Sequence, residues 1–253
     1  MKKTAILSVL MIIALLAGAQ DKAISIMEKS RQVMQVESFE AVARLIITDP
    51  GGNVRERTNI TASKSYDDGT EKRLIKFISP ADIEGTSILI YDYEEGKDDM
   101  WIYLPALDRT RMIASSEKSR SFMGSEFTNA DMSSPPTEDF NHSIVEETAD
   151  NYIIESIPLN SKKEDEYGYA RKLSTIDRDN YLVSKMDFYN AWDEHFKTIL
   201  IEDVKELGES KFIISHMTAE NFGNGRSSEI IMDEIRTGTA IRDEIFNVTN
   251  LGR

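Results

Sequence analysis

The sequence has no cysteine and only three histidines among its 253 residues. Without cysteine the chain forms no disulfide, no thiolate zinc site and no iron–sulfur cluster, and it has no cysteine nucleophile. His142, His195 and His216 are far apart, and no pair has the HxH or HExxH spacing of a metal site. Serine is plentiful, but there is no Gly-x-Ser-x-Gly elbow and no glycine-rich phosphate loop. We therefore expect no catalytic residues, no metal and no cofactor, and a protein that is not an enzyme.

Positive charge is also scarce, with 30 lysine and arginine residues against 44 acidic residues and a formal net charge of −14. An acidic surface repels phosphate backbones, so the composition argues against nucleic acid as a partner. At 29% charged and 40% hydrophobic residues, the chain has the composition of a folded protein with one large core. The acidic clusters at residues 92–99 and 164–166 are interpreted as solvated hairpin tips, because neither matches a calcium-binding loop.

The N-terminus has the three-part pattern of a secretory signal peptide. Two lysines precede the almost wholly apolar residues 5–17, and small residues follow up to Ala19. The apolar run, roughly 13 residues long, is shorter than the ~20 residues of a spanning helix, so cleavage after Ala19 is favoured over a membrane anchor. We predict a signal peptide over residues 1–19, a single domain over residues 20–253, and a bacterial periplasmic location without stable membrane insertion.

Short strands dominate the rest of the sequence, after one amphipathic helix predicted at residues 21–35. Runs rich in β-branched and aromatic residues alternate with turn signals such as Gly223-Asn224-Gly225. Strands are predicted at residues 40–48, 54–64, 71–78, 86–93, 100–104, 143–147, 152–159, 169–177, 182–189, 197–207, 212–221 and 227–236. Roughly eleven or twelve strands joined by tight turns favour a large antiparallel sheet, a sandwich or a barrel.

One stretch, residues 105–141, interrupts this pattern and contains no convincing strand. Long segments without regular structure usually carry function or contain hidden helices. Thr128 would cap a short helix over residues 129–132. We predict a helical or loop lid here.

The strands predicted at residues 86–93 and 100–104 are apolar on both faces, and in the second Trp101 and Tyr103 alternate with aliphatic side chains. Strands of this kind need covering on both sides. One interpretation is a two-layer core with a helix over the outer face. The other is a sheet curved around an apolar cavity that holds a lipid-like ligand. The residues alone favour a plain core, because apolar side chains are usually simply buried.

A resemblance to a known family runs through residues 74–132. Leu74–Thr86 reads Leu-Ile-Lys-Phe-Ile-Ser-Pro-Ala-Asp-Ile-Glu-Gly-Thr, the likeness continues through Asp99–Leu107, and it is strongest at Ser121–Phe127, Ser-Phe-Met-Gly-Ser-Glu-Phe. These motifs resemble those of bacterial outer membrane lipoprotein-sorting proteins, which have a LolA/LolB-like fold. The resemblance implies a mainly β, α+β fold in which a large curved antiparallel sheet forms an unclosed barrel around a few helices.

The resemblance also implies a function, that of a soluble periplasmic carrier for lipid or lipoprotein acyl chains in outer-membrane lipoprotein trafficking. The alternative is a non-carrier accessory subunit that docks on an inner-membrane transporter of the resistance-nodulation-division (RND) type. The predicted residues of the cavity or its lid are Trp101, Tyr103, Leu104, Phe122, Met123 and Phe127. Arg109 and Arg111 are interpreted either as contacts to a headgroup or partner, or as exposed surface arginines.

Overall fold

The computed structural model describes residues 20–94, 96–208 and 210–252, so the predicted signal peptide lies outside the described residues. Residues 20–34 form helix α1, which confirms the helix predicted from the amphipathic pattern. Its apolar stripe, with Ala23 and Ile26 fully buried, packs against Ile154 and Ile176. No helix in the described part of the chain is long and apolar enough to span a membrane.

The described residues form thirteen strands in one antiparallel sheet. They are β1 Ser38–Thr48, β2 Val54–Ser65, β3 Glu71–Ser79, β4 Ser87–Asp92, β5 Asp99–Leu104, β6 Arg109–Met112, β7 Phe140–Glu147, β8 Asn151–Pro158, β9 Arg171–Asp177, β10 Val183–Tyr189, β11 His195–Leu207, β12 Lys211–Asn221 and β13 Arg226–Thr237. The predicted strands are present, with ends that differ by a few residues. The expectation of no strand in residues 105–141 is wrong, because β6 lies there. Its sequence, Arg-Thr-Arg-Met, has the charge and short length of an edge strand and so lacks an apolar alternation.

The strand order follows the chain from β6 back to β1, and then from β13 back to β7. Strand β1 pairs with both β2 and β13, which places β6 and β7 at the two edges of the sheet. Among the described residues these two edges do not pair with each other, so the sheet curves without closing. Register shifts, such as those between Glu40 and Val42 and between Ile201 and Asp203, bend individual strands. The predicted unclosed antiparallel barrel around helices is confirmed.

One face of the sheet, called here the inner face, carries the largest apolar cluster. Leu45, Ile88 and Met100 on the strands are all at most 1% exposed. Residues 113–139, called here the crossing segment, connect the two edge strands and pack against this cluster through Phe122 and Phe127. The inner face is therefore covered by α1 and by the crossing segment.

The outer face of β2 to β5 is covered by the C-terminal segment, residues 241–251. Phe246 and Leu251, which are 1% and 3% exposed, pack there with Leu89 and the half-buried Trp101. Both coverings predicted for the doubly apolar strands are thus present. The outer one is made of short 3₁₀ turns, at Asp243–Phe246 and Val248–Asn250.

A tight turn within the crossing segment inserts its two phenylalanines into the core. The Phe122 N–H donates to the Phe127 carbonyl at 2.8 Å, and Met123 and Gly124 have φ angles of 50° and 78°. Consecutive positive φ angles give a two-residue reversal that glycine tolerates without strain. Glu126 ties this turn to the sheet, 3.0 Å from Arg226 Nε.

A buried ion cluster connects the loop before β5 to the elements around the edge strand β7. We call it the edge cluster, and it comprises Asp98, Lys118, Asp139, Lys163 and Glu166. Lys118 Nζ contacts Asp98 and lies 3.5 Å from Glu166 Oε1, and all three side chains are at most 4% exposed. Lys163 contacts Asp139 and lies 3.2 Å from Glu166 Oε2. The cluster therefore connects the loop before β5, the crossing segment and the elements around β7.

Glu166 belongs to a second helix, α2, Ser161–Tyr167, so the prediction of a hairpin tip at residues 164–166 is wrong. The Asn160 side chain accepts the Lys163 N–H at 3.1 Å, and Gly168 ends the helix at a φ of 80°. These are ordinary helix-capping signals. The high charge of the segment leaves no apolar periodicity from which a helix could be predicted.

Candidate functional site

A cavity of about 310 Å³ lies between the inner face of the sheet, α1 and the crossing segment, and it is partly open to solvent. This volume is at the small end of the ~300–1,000 Å³ typical of small-molecule sites. Most of the lining side chains are apolar. Six of them are methionines, namely Met27, Met34, Met132, Met186, Met217 and Met232. Methionine is flexible and polarisable, so this wall adapts to ligands of different shape.

Two arginines line the cavity, and each has a carboxylate partner. Arg31 Nη2 lies 3.3 Å from Asp92 Oδ1 and donates to the Tyr93 carbonyl at 2.8 Å. Arg73 Nη2 donates to Glu71 Oε1 at 2.6 Å. Burial raises the pKa of Asp92 to about 6, although the Arg31 guanidinium acts against this shift. These two cations are neutralised locally.

Five paired residues, all polar except Phe188, form a row across the inner face from β7 to β11, which we call the polar row. His142 is directly opposite Ser156, Ser156 is opposite Lys172, Lys172 is opposite Phe188, and Phe188 is opposite Lys197. Adjacent strands are about 4.8 Å apart, so the row places five side chains in sequence across a mostly apolar face. His142, Lys172 and Phe188 line the cavity.

Lys172 differs from the other cations of the cavity. No carboxylate of the described residues lies within ion-pairing distance of its ammonium, whose near neighbours are the rings of Tyr169 at 5.8 Å and Phe140 at 5.9 Å. The Asp131 carboxylate is already paired with another cation, since its Oδ2 is 2.7 Å from Lys197 Nζ. It therefore acts on Lys172 only at longer range. Burial lowers the pKa of Lys172 to about 8, with Asp131 opposing this shift and Lys197 adding to it. The ammonium is therefore exposed to the cavity without a full counter-charge.

His142 is the second unsatisfied polar group of the row. It is 4% exposed, and its Nδ1 is 2.9 Å from Ser156 Oγ. Its Nε2 is buried and has no hydrogen-bond partner among the described residues. Burial lowers the pKa of His142 to about 4, Lys172 adds to the shift and an interaction with the Thr137 backbone opposes it, so the imidazole is neutral at pH 7.

Of the residues predicted for the cavity or its lid, Phe127 lines the cavity and is fully buried. Phe122 is 2% exposed and packs in the same core, with its ring centroid 6.3 Å from that of Phe77. Met123 is half-buried against this core. The turn that carries these residues therefore forms part of the floor beneath the cavity.

Trp101 and Tyr103 lie on the outer face, away from this cavity. The Trp101 ring contacts Tyr91 at a centroid distance of 4.9 Å. A Cβ atom placed on Gly252 would be only 2.7 Å from the Tyr103 ring, so the C-terminal segment packs closely over it. Leu104 is half-buried at the end of β5 and does not line the cavity.

Arg109 and Arg111 lie on the edge strand β6, and both are exposed. Arg111 Nη1 is 2.7 Å from Glu117 Oε2. Neither arginine lines the cavity.

The unsatisfied polar residues of the cavity, Lys172 and His142, were not predicted from the sequence as a site. Strand alternation identifies Lys172, Ser174 and Ile176 as one face of β9, but it does not identify which face is inner. Pairing across β7, β8 and β9 depends on the hairpin registers, which a single sequence does not determine.

Comparison with known proteins gives the family. A family model described as an uncharacterized protein matches residues 69–253, which is more than half of the chain. The chain is similar to the crystal structure of a DUF1329 family protein from Desulfovibrio piger, with 28% identity, a TM-score of 0.81, and coverage of 92% of this chain and 99% of that one. It is also similar to a putative outer membrane lipoprotein-sorting protein domain from Vibrio parahaemolyticus, with 27% identity, a TM-score of 0.83, and coverage of 92% and 100%.

A more distant structure supports the fold. A LolA superfamily protein from Nitrosomonas europaea aligns at a TM-score of 0.66 and 18% identity, over 89% of this chain and 97% of that one. No curated protein sequence matches the chain. The family model and the Desulfovibrio piger relative show that the chain belongs to the DUF1329 family of uncharacterized proteins, and its fold is LolA-like.

Proposed function

We propose that this protein is a periplasmic carrier that binds a lipid or lipoprotein acyl chain in the inner-face cavity. The observation that carries the proposal is the methionine-rich apolar cavity between the sheet, α1 and the crossing segment. Each CH₂ group that an acyl chain buries there is worth about 0.8 kcal/mol relative to water. A carrier needs such a gain to hold a chain in solution.

The unpaired sheet edges support the same proposal. A closed barrel admits a ligand only through its ends, whereas here the edge strands β6 and β7 are not paired with each other, and side chains of the edge cluster connect the loop before β5 to the crossing segment and α2. Rearranging side chains does not require breaking a ladder of backbone hydrogen bonds. The similarity to a putative outer membrane lipoprotein-sorting protein domain from Vibrio parahaemolyticus supports a role in lipoprotein or lipid trafficking.

A plugging variant tests the proposal. Met217 lines the cavity and is paired with Ile201 and Ile230, which line it too. Met217→Trp should fill part of the cavity and weaken binding of a fluorescent fatty acid at least about tenfold, since added ring volume leaves no room for the chain. Binding is measured by titration with the fatty acid, whose emission rises in apolar surroundings.

Thr218→Trp is the matched control. Thr218 is the next residue of β12 and lies on the outer face, where its Oγ1 donates to Glu202 at 3.1 Å. This variant should bind the fatty acid as the wild type does. Equal binding by the Met217→Trp and Thr218→Trp proteins would contradict a ligand site in the cavity.

A further inference from the structure

We propose that Lys172 and His142 form a recognition site for the anionic headgroup of a single-chain lipid inside the cavity. This inference rests on the proposed carrier function and adds the chemical class of the ligand. It predicts that the chain distinguishes anionic lipids, with a carboxylate or a phosphate, from neutral lipids of the same chain length.

The charge balance of the cavity is the first argument. Arg31 and Arg73 each have a carboxylate partner, and Asp131 is engaged by Lys197. Lys172 then remains as one positive charge in excess, in a chain whose formal net charge is −14. An apolar site with a single uncompensated ammonium is costly to maintain, because burial removes part of its hydration and no counter-ion is built in. An anionic ligand oxygen supplies the missing partner.

The second argument is the position of His142. The polar row brings it to the same face as Lys172, with Ser156 between them. Its Nε2 is buried and has no hydrogen-bond partner among the described residues, and the residue lines the cavity. When Ser156 donates to Nδ1, the neutral ring carries its proton on Nε2 and is a hydrogen-bond donor there. Lys172 and His142 thus supply two hydrogen-bond donors on one face of the sheet, which suits an anion with more than one oxygen atom.

The size of the cavity limits the ligand. A volume of about 310 Å³ is at the lower end for ligand sites, so it suits one acyl chain rather than several. The rings of Phe140 and Tyr169 lie beside Lys172, and aliphatic and methionine side chains continue from there. This order of a cation, aromatic rings and an apolar wall corresponds to a headgroup followed by a chain.

Two matched ligand pairs test the inference with the wild-type protein. Palmitate and hexadecanol differ in the carboxylate, and 1-palmitoyl-lysophosphatidate and 1-monopalmitoylglycerol differ in the phosphate. Each is titrated below its micelle concentration as a competitor of a fluorescent fatty acid. We expect the anionic member of at least one pair to bind at least about tenfold more tightly, which corresponds to about 1.4 kcal/mol. The pair that shows the preference identifies the headgroup as a carboxylate or a phosphate.

Variants assign the preference to the site. Lys172→Met should reduce the preference to less than about twofold, and Lys172→Arg should retain it because the charge remains. Lys185→Met is the matched control, because Lys185 lies on neighbouring β10 and pairs with Asp187 at 2.8 Å. It should leave the preference unchanged. Equal binding within both pairs by the wild type would overturn the headgroup site while leaving the carrier function intact. Binding of none of the four ligands would overturn both.

Discussion

Replacing Lys172 with methionine should stabilise the ligand-free protein, although the substitution removes a side chain of the proposed headgroup site. Methionine keeps most of the length of the lysine stem and removes the charge that the cavity leaves without a partner. Groups placed for ligand binding often cost stability in the empty protein. The change therefore separates the functional interpretation of Lys172 from a structural one, in which its loss would be destabilising.

The magnitude follows from the pKa of Lys172. Burial lowers this pKa from 10.5 to about 8, and each unit of pKa is worth about 1.4 kcal/mol, so the protonated lysine costs the folded state about 3 kcal/mol. Because the pKa is lower in the folded state, the unfolded chain binds the proton more tightly. The cost is fully present below pH 8 and disappears as the pH rises from about 8 to 10.5.

Urea unfolding of the delipidated protein measures this effect. At pH 7 the Lys172→Met protein should unfold with a free energy up to about 3 kcal/mol above that of the wild type. The difference should shrink toward zero by pH 10.5. The control Lys185→Met should change stability by less than about 1 kcal/mol, because the Lys185 side chain is 43% exposed in its ion pair with Asp187. A Lys172→Met protein that is less stable than the wild type, or a difference independent of pH, would refute the reasoning.

Three further predictions concern parts of the fold outside the headgroup site. Lys118→Met leaves Asp98 buried without its cation, while Glu166 keeps only Lys163, so it should cost about 3–5 kcal/mol in urea unfolding; a loss below about 1 kcal/mol would contradict the importance of the edge cluster. Phe246→Ala should cost about 3–5 kcal/mol but leave fatty-acid affinity unchanged, because Phe246 packs on the outer face; weaker binding would contradict this separation of the two faces. The pKa of Asp92 is raised from 3.8 to about 6 in the folded protein. Protonation of Asp92 therefore adds to the free energy of unfolding below pH 3.8, and this contribution is lost as the pH rises to about 6. Asp92→Asn should remove this pH dependence of unfolding, and an unchanged dependence would show that another group titrates.

Most strands could be predicted from the sequence because their signals are local. Alternating side chains and turn residues such as Gly223-Asn224-Gly225 mark strand and hairpin positions without reference to the rest of the chain. Two elements could not be predicted in this way, the strand β6, Arg109–Met112, and the helix α2, Ser161–Tyr167. Both are short and charged, and tertiary contacts rather than an apolar pattern stabilise them.

The site was less accessible to sequence reasoning. Trp101 and Phe127 are both large apolar residues in the region of family resemblance, yet Trp101 faces the C-terminal segment and Phe127 faces the cavity. Lys172 and His142 meet only because two hairpins bring β7, β8 and β9 into register. Single-residue patterns do not contain this pairing, since shifting the register of a strand by one residue exchanges its two faces.

Native mass spectrometry of the mature protein, purified without detergent, tests the central claim most directly. The account predicts discrete added masses of single-chain lipid, which disappear after organic extraction and return when palmitate or lysophosphatidate is added. The bare mass of the chain alone, unchanged by added lipid, would contradict the carrier function. If that lipid-free protein also co-purified with an RND-type transporter, the accessory role would account for the fold instead.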